Sequence, residues 1–110
     1  MVETLHWTLA AALNELPDGG LKNCDLNGRS VVLSHCGGRY GAINGRCPHM
    51  GGPLGEGEII DGLLVCPWHG REYDPVSGEC GLGEHAQSFP VELRQDGVYV
   101  GLPDMPSSRT

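Results

Sequence analysis

Two short segments, Cys47-Pro48-His49 and Cys66-Pro67-Trp68-His69, each place one thiol and one imidazole within a few residues of each other. Sixteen residues separate His49 from Cys66. Thiolate sulfur and imidazole nitrogen are both metal donors. One Cys and one His from each of two loops therefore make a four-donor candidate metal site at Cys47, His49, Cys66 and His69. Zinc accepts the same donor set, and a structural zinc would staple a small domain. The spacing, however, differs from that of common zinc fingers and ribbons.

The intervening residues explain how the two segments can meet. "EIIDGLLV" holds two apolar triplets joined by Asp61-Gly62, a pair that favours a two-residue hairpin turn. Ile59 and Ile60 are then expected alongside Leu63 and Leu64, bringing the loop at Cys66 back beside the loop at Cys47. Pro48 and Pro67 fix φ just after each cysteine and remove a donor there. Gly51, Gly52 and Gly70 let the backbone turn closely, so that N–H groups can point inward. Converging N–H groups suit an anionic sulfur-rich centre.

The rest of the chain reads mostly as strands. "HWTLA" alternates, and "AALNELPDGG" reads as a short helical turn ended by Pro17 and a glycine pair. "LKNCDL", "RSVVLSHC" and "RYGAIN" are β-rich runs separated by Asn27-Gly28 and Gly37-Gly38. "SFPVELR" and "VYVGL" flank Asp96-Gly97, which predicts a further hairpin with Val91 and Leu93 facing Val98 and Val100. "PDMPSSRT" reads as a tail. With 110 residues, 18 glycines and 5% aromatic residues, the expectation is one all-β domain over residues 1–110.

The two ligand loops with their prolines and glycines resemble the signature of the Rieske [2Fe–2S] family. The resemblance implies small antiparallel sheets, three in number, with both cluster loops at one tip. It implies that Cys47 and Cys66 hold the inner iron, and that His49 and His69 hold the outer iron through Nδ1. Four thiolates would leave a diferric cluster dianionic; two imidazoles bring it to roughly zero charge, which raises the potential. With no open coordination position, such a site serves one-electron transfer.

Departures from the family's high-potential branch refine the expectation. That branch has an extra cysteine in each loop, where this chain has Gly52 and Trp68, so the corresponding bridge cannot form. Its serine two residues after the second histidine is here Arg71, whereas its tyrosine is matched by Tyr73. Fewer donors to sulfur place the expected potential at roughly −150 to 0 mV, in the lower part of the Rieske range. The pattern is similar to the ferredoxin components of multicomponent ring-hydroxylating dioxygenases. That similarity implies a soluble carrier, not itself an enzyme, between a flavoprotein reductase and an oxygenase component. Two alternatives are a small Rieske subunit of a larger oxidoreductase, such as assimilatory nitrite reductase, and a zinc-stabilised interaction module.

Outside the motif remain Cys24, Cys36 and Cys80, read as apolar packing or idle thiols. His6, His35 and His85 form no recognisable 2-His-1-carboxylate site. Trp68 reads equally as a docking residue and as cover for the cluster, while Met50 and Leu54 read as local packing ahead of exposed contact. A formal net charge of −7 argues against nucleic acid and anionic membranes as partners, and suits a basic patch on a protein. The odd count of five cysteines and the absence of Lys or Arg near the N-terminus point to a reducing, cytoplasmic setting.

Overall fold

The computed structural model describes residues 5–46, 53–68, 70–80 and 85–103. Among the described residues ten strands form three antiparallel sheets, the number that the family resemblance implies. They are β1 (Leu5–Ala11), β2 (Gly20–Leu26), β3 (Arg29–Cys36), β4 (Arg39–Asn44), β5 (Glu58–Ile60), β6 (Leu63–Val65), β7 (Glu72–Tyr73), β8 (Ser88–Phe89), β9 (Val91–Arg94) and β10 (Gly97–Pro103). The sheet orders are β1-β10-β9, β2-β3-β4-β8 and β5-β6-β7. A 3-10 turn, Leu54–Glu56, precedes β5.

The four-stranded sheet is the middle layer. On β3, Val31 and Leu33 join one buried cluster with Ala42, Val98 and Val100, which packs the sheet against β1 and β10. Val32, between them, points the other way and joins Ile43, Leu54, Leu64, Cys66 and Tyr73 in a second cluster. Alternation by two sends successive side chains to opposite faces. Because both faces of β3 and β4 are covered, the run Val31-Val32-Leu33 is apolar throughout, with each residue at most 1% exposed. Ser34 is the buried polar side chain of this face, and its hydroxyl donates to the Gly41 carbonyl at 3.3 Å.

Turn chemistry follows the sequence with one shift. Asn27 and Asp61 have φ of 54° and 52°, each followed by a glycine at 81°, the two-residue arrangement expected of the β2–β3 and β5–β6 hairpins. In the last hairpin Arg94 pairs with Gly97, so the turn residues are Gln95 and Asp96, not Asp96 and Gly97. Gly97 is thus the first strand residue, close against Ala11 and Leu9. The expected facing holds, with Val98 opposite Leu93 and Val100 opposite Val91. Leu93 nevertheless stays 56% exposed, because β9 is a sheet edge. The "AALNELPDGG" stretch makes a single turn, in which the Glu15 N–H donates to the Ala12 carbonyl at 3.1 Å. Pro17 stops it from extending into a helix.

Candidate metal centre

The β5–β6 hairpin has the register that the sequence predicts. Ile59 pairs with Leu64 and Ile60 with Leu63, leaving Glu58 opposite Val65. Cys66 therefore leaves the sheet at the end of the hairpin nearest the 3-10 turn and the first loop. A side chain on Gly57 would drive a Cβ into the Val65 carbonyl, so this crossing is a close backbone approach.

Both loops are pinched shut at their necks. Arg46 bridges to Pro53 across the first, and the Leu54 N–H donates to the Gly45 carbonyl at 3.0 Å. In the second, the Cys66 N–H donates to the Arg71 carbonyl at 2.8 Å, and the Gly70 N–H donates to the Cys66 carbonyl at 3.0 Å. Gly70 closes that turn with a φ of 71°. Cys66 itself is 2% exposed, packed in one apolar cluster with Leu54 and Tyr73, which are fully buried. Leu54 directly follows the first loop, so one cluster seals the necks of both. A thiol this deep, on a loop held by its own backbone, fits ligation of an anionic sulfur centre, which is stabilised by N–H groups and shielded from water. Of the predicted ligands, Cys47, His49 and His69 lie outside the described residues, as do Met50, Gly51 and Gly52.

Among the described residues no group of three or more His, Cys, Asp and Glu gathers to hold a metal. His35 stacks on Tyr40 with ring centroids 4.2 Å apart, and its Nδ1 lies 2.8 Å from the Leu16 carbonyl. His85 is exposed and bridges to Glu79. Cys24 is buried in the first cluster, where desolvation pushes its thiol pKa up and keeps it a protonated apolar filler. Cys80 is also buried, and Cys36 is partly so; both are free thiols. Trp68 is 55% exposed, so its ring is largely open to solvent.

A turn that sequence reasoning passed over lies directly after the second loop. The Asp74 carboxylate accepts from the Val76 N–H at 2.8 Å and the Ser77 N–H at 2.9 Å. Those bonds, first to Ser77 and then to Val76, hold its carboxyl below the usual aspartate range. The Asp74 N–H donates to the Glu79 carbonyl and the Gly78 N–H to the Asp74 carbonyl. The signal was available in "DPVSG", since Asp-Pro followed by Gly marks an Asx-type turn.

The Rieske [2Fe-2S] domain profile matches residues 6–99, spanning both loops and all three sheets. The chain belongs to the Rieske family. Its cofactor is accordingly the Rieske-type [2Fe–2S] cluster that this family holds. The Rieske chain is 30% identical over 108 residues to the ferredoxin component of the alkene monooxygenase system of Xanthobacter autotrophicus, covering 94% of this chain and 88% of that one. It is also 30% identical over 92 residues to apoptosis-inducing factor 3 of Homo sapiens, covering 80% of this chain but only 15% of that protein's length. A chain from the complex of reduced oxygenase and oxidized ferredoxin in carbazole 1,9a-dioxygenase shares the fold, with a TM-score of 0.81 at 21% identity. That superposition covers 91% of this chain and 97% of the other.

Proposed function

We propose that this chain is a single Rieske domain over residues 1–110 acting as a one-electron carrier, without catalysis of its own. Cys47 and Cys66 are the thiolate ligands, and His49 and His69 the imidazole ligands. Electrons come from a flavoprotein reductase and pass to an oxygenase component in the cytoplasm. The observation that carries the reading is the match, over nearly the full length of both chains, to a ferredoxin component of a monooxygenase system. Among the described residues no helix is long and apolar enough to cross a membrane.

When bound, the cluster supplies a one-electron couple whose potential follows its ligands and their hydrogen bonds. The chain's own residues set the surroundings. Cys66 anchors the centre from within the apolar cluster, and Leu54 and Tyr73 keep water from its inner side. The Tyr73 hydroxyl, on the strand beside the second loop, serves as a donor to ligand sulfur. Trp68, next to His69 and 55% exposed, offers an aromatic contact where electrons leave. The acidic surface, at a formal net charge of −7, favours partners that present a basic patch.

An EPR-monitored redox titration tests this reading. A Rieske-type signal with a midpoint in the range of roughly −150 to 0 mV is expected. A colourless protein that shows no signal after cluster reconstitution would sink it and leave the zinc module. Stoichiometric co-purification with a larger oxidoreductase, nitrite reductase among them, would assign a fixed subunit in place of a free shuttle.

A further inference from the structure

We infer that Asp74 is a positioning residue for the redox centre: its carboxylate ties the 74–79 turn, and the turn holds Tyr73 against the Cys66 loop. This rests on the carrier reading above and on Tyr73 as a donor to ligand sulfur. No part of the Rieske match itself assigns Asp74 a role.

The geometry is a chain of backbone contacts with one carboxylate at its knot. Tyr73 pairs with Leu64 on one side and bridges to Cys80 on the other. Neighbouring paired residues share a face, so Leu64, Tyr73 and Cys80 line up on the side that Cys66, two residues beyond Leu64, also occupies. All four belong to one buried cluster. The segment between Tyr73 and Cys80 is only six residues, and Asp74 is its first. Its side chain takes two amides while its own N–H and carbonyl take two more bonds, to Glu79 and from Gly78. The Ala86 N–H donates to the Gly78 carbonyl at 2.8 Å, which ties the returning strand to the same turn. The turn also rests on the middle sheet, where Gly41 leaves room for the Pro75 carbonyl. Tyr73 cannot tilt on the Cys66 loop while this knot is closed.

The two ways in which a carboxylate could influence the centre have opposite signs. As a nearby negative charge, it would disfavour an added electron, so its removal would raise the potential. As the clasp of the turn, it keeps Tyr73 donating to sulfur, so its removal would lower the potential. Asp74→Ala removes both charge and acceptor. Asp74→Asn removes the charge and keeps an acceptor oxygen for the two amides.

The test uses the full chain with its cluster, read by EPR-monitored redox titration and by amide hydrogen exchange. In Asp74→Ala the midpoint should fall, with exchange at Val76 and Ser77 faster by about tenfold or more, given the loss of bonds to a charged acceptor. Asp74→Asn should keep the parent's midpoint or rise slightly above it. In a Tyr73→Phe background the Asp74→Ala shift should largely disappear, because the group being positioned is gone. A raised midpoint in Asp74→Ala overturns the inference and leaves only through-space charge. An undiminished shift in the Tyr73→Phe background overturns it as well. Should Asp74→Ala lose its cluster, an Asp74→Asn midpoint clearly below the parent's overturns it, whereas a retained midpoint supports it. Absence of a Rieske signal in the parent chain would bring down the carrier reading too, so the two failures are distinguishable.

Discussion

Cys66 and His69 are three residues apart in the sequence, yet substitution should affect them differently. Cys66→Ser is expected to abolish stable cluster incorporation, because the buried thiol has lost its sulfur; iron and sulfide content after reconstitution checks this. His69→Cys should retain some cluster at a lower potential, because it adds a negative charge to the centre. A redox titration showing an unchanged potential in a cluster-bearing His69→Cys protein would contradict the ligand role of His69. The ligand imidazoles should also be acidified by iron, so the potential should be flat near neutrality and fall through the alkaline range. Asp74 responds at the acid end. Its carboxyl is depressed by the Ser77 and Val76 amides, so its stabilising contribution is complete above the ordinary aspartate value of about 3.9. That contribution is lost as the pH falls through the lower value of the folded state. Comparing acid unfolding of the parent with Asp74→Asn should show the parent's stability advantage shrinking as pH falls through that window.

The elements act through close backbone crossings as much as through their own hydrogen bonds. Gly41 on β4 lies directly under the Pro75 carbonyl, where a Cβ would overlap it. Gly41→Ala should therefore push the 74–79 turn off the sheet at a cost of about 1–3 kcal/mol, measurable by urea unfolding. Gly62 presents the opposite case, with open space around it but a φ of 81°. Gly62→Ala should cost about 1 kcal/mol through backbone strain alone, and should leave the midpoint potential unchanged because nothing is displaced. The two variants separate steric from conformational reasons for a glycine.

At the scale of the whole molecule, the middle sheet divides two cores with different duties. The first, between β1–β10 and the middle sheet, contains Leu33 and supports the scaffold. The second contains Ile43, Leu54 and Tyr73 and encloses Cys66. Leu33→Ala should destabilise the fold by about 2–5 kcal/mol. Its EPR line shape and potential should nevertheless match the parent wherever the protein remains folded. Ile43→Val should cost only about 0.5–1.5 kcal/mol but hasten loss of the cluster's colour in the presence of a chelator, because it loosens the packing around Cys66. The net charge of −7 also acts at this scale. Electron transfer to a basic partner should slow as ionic strength rises, a dependence that stopped-flow kinetics would measure.

Local chemistry made much of this protein legible. Asn27-Gly28 and Asp61-Gly62 specify their own positive φ values, so both hairpins and the register of the β5–β6 pair followed from residue types alone. The Cys/His spacing with its prolines and glycines was enough to identify the family. The last hairpin shows where local reading loses precision. Gly97 looked like a turn residue, but pairing with Arg94 and its approach to β1 draw it into the strand. Which face of β3 serves which core was also beyond the sequence, since Val31, Val32 and Leu33 are all apolar and carry no alternation to read. The tertiary structure assigned Val32 to the Cys66 side and its neighbours to the other, because two further sheets cover the middle one. The same holds for Asp74: its turn is local, but only packing places that turn beside the Cys66 loop.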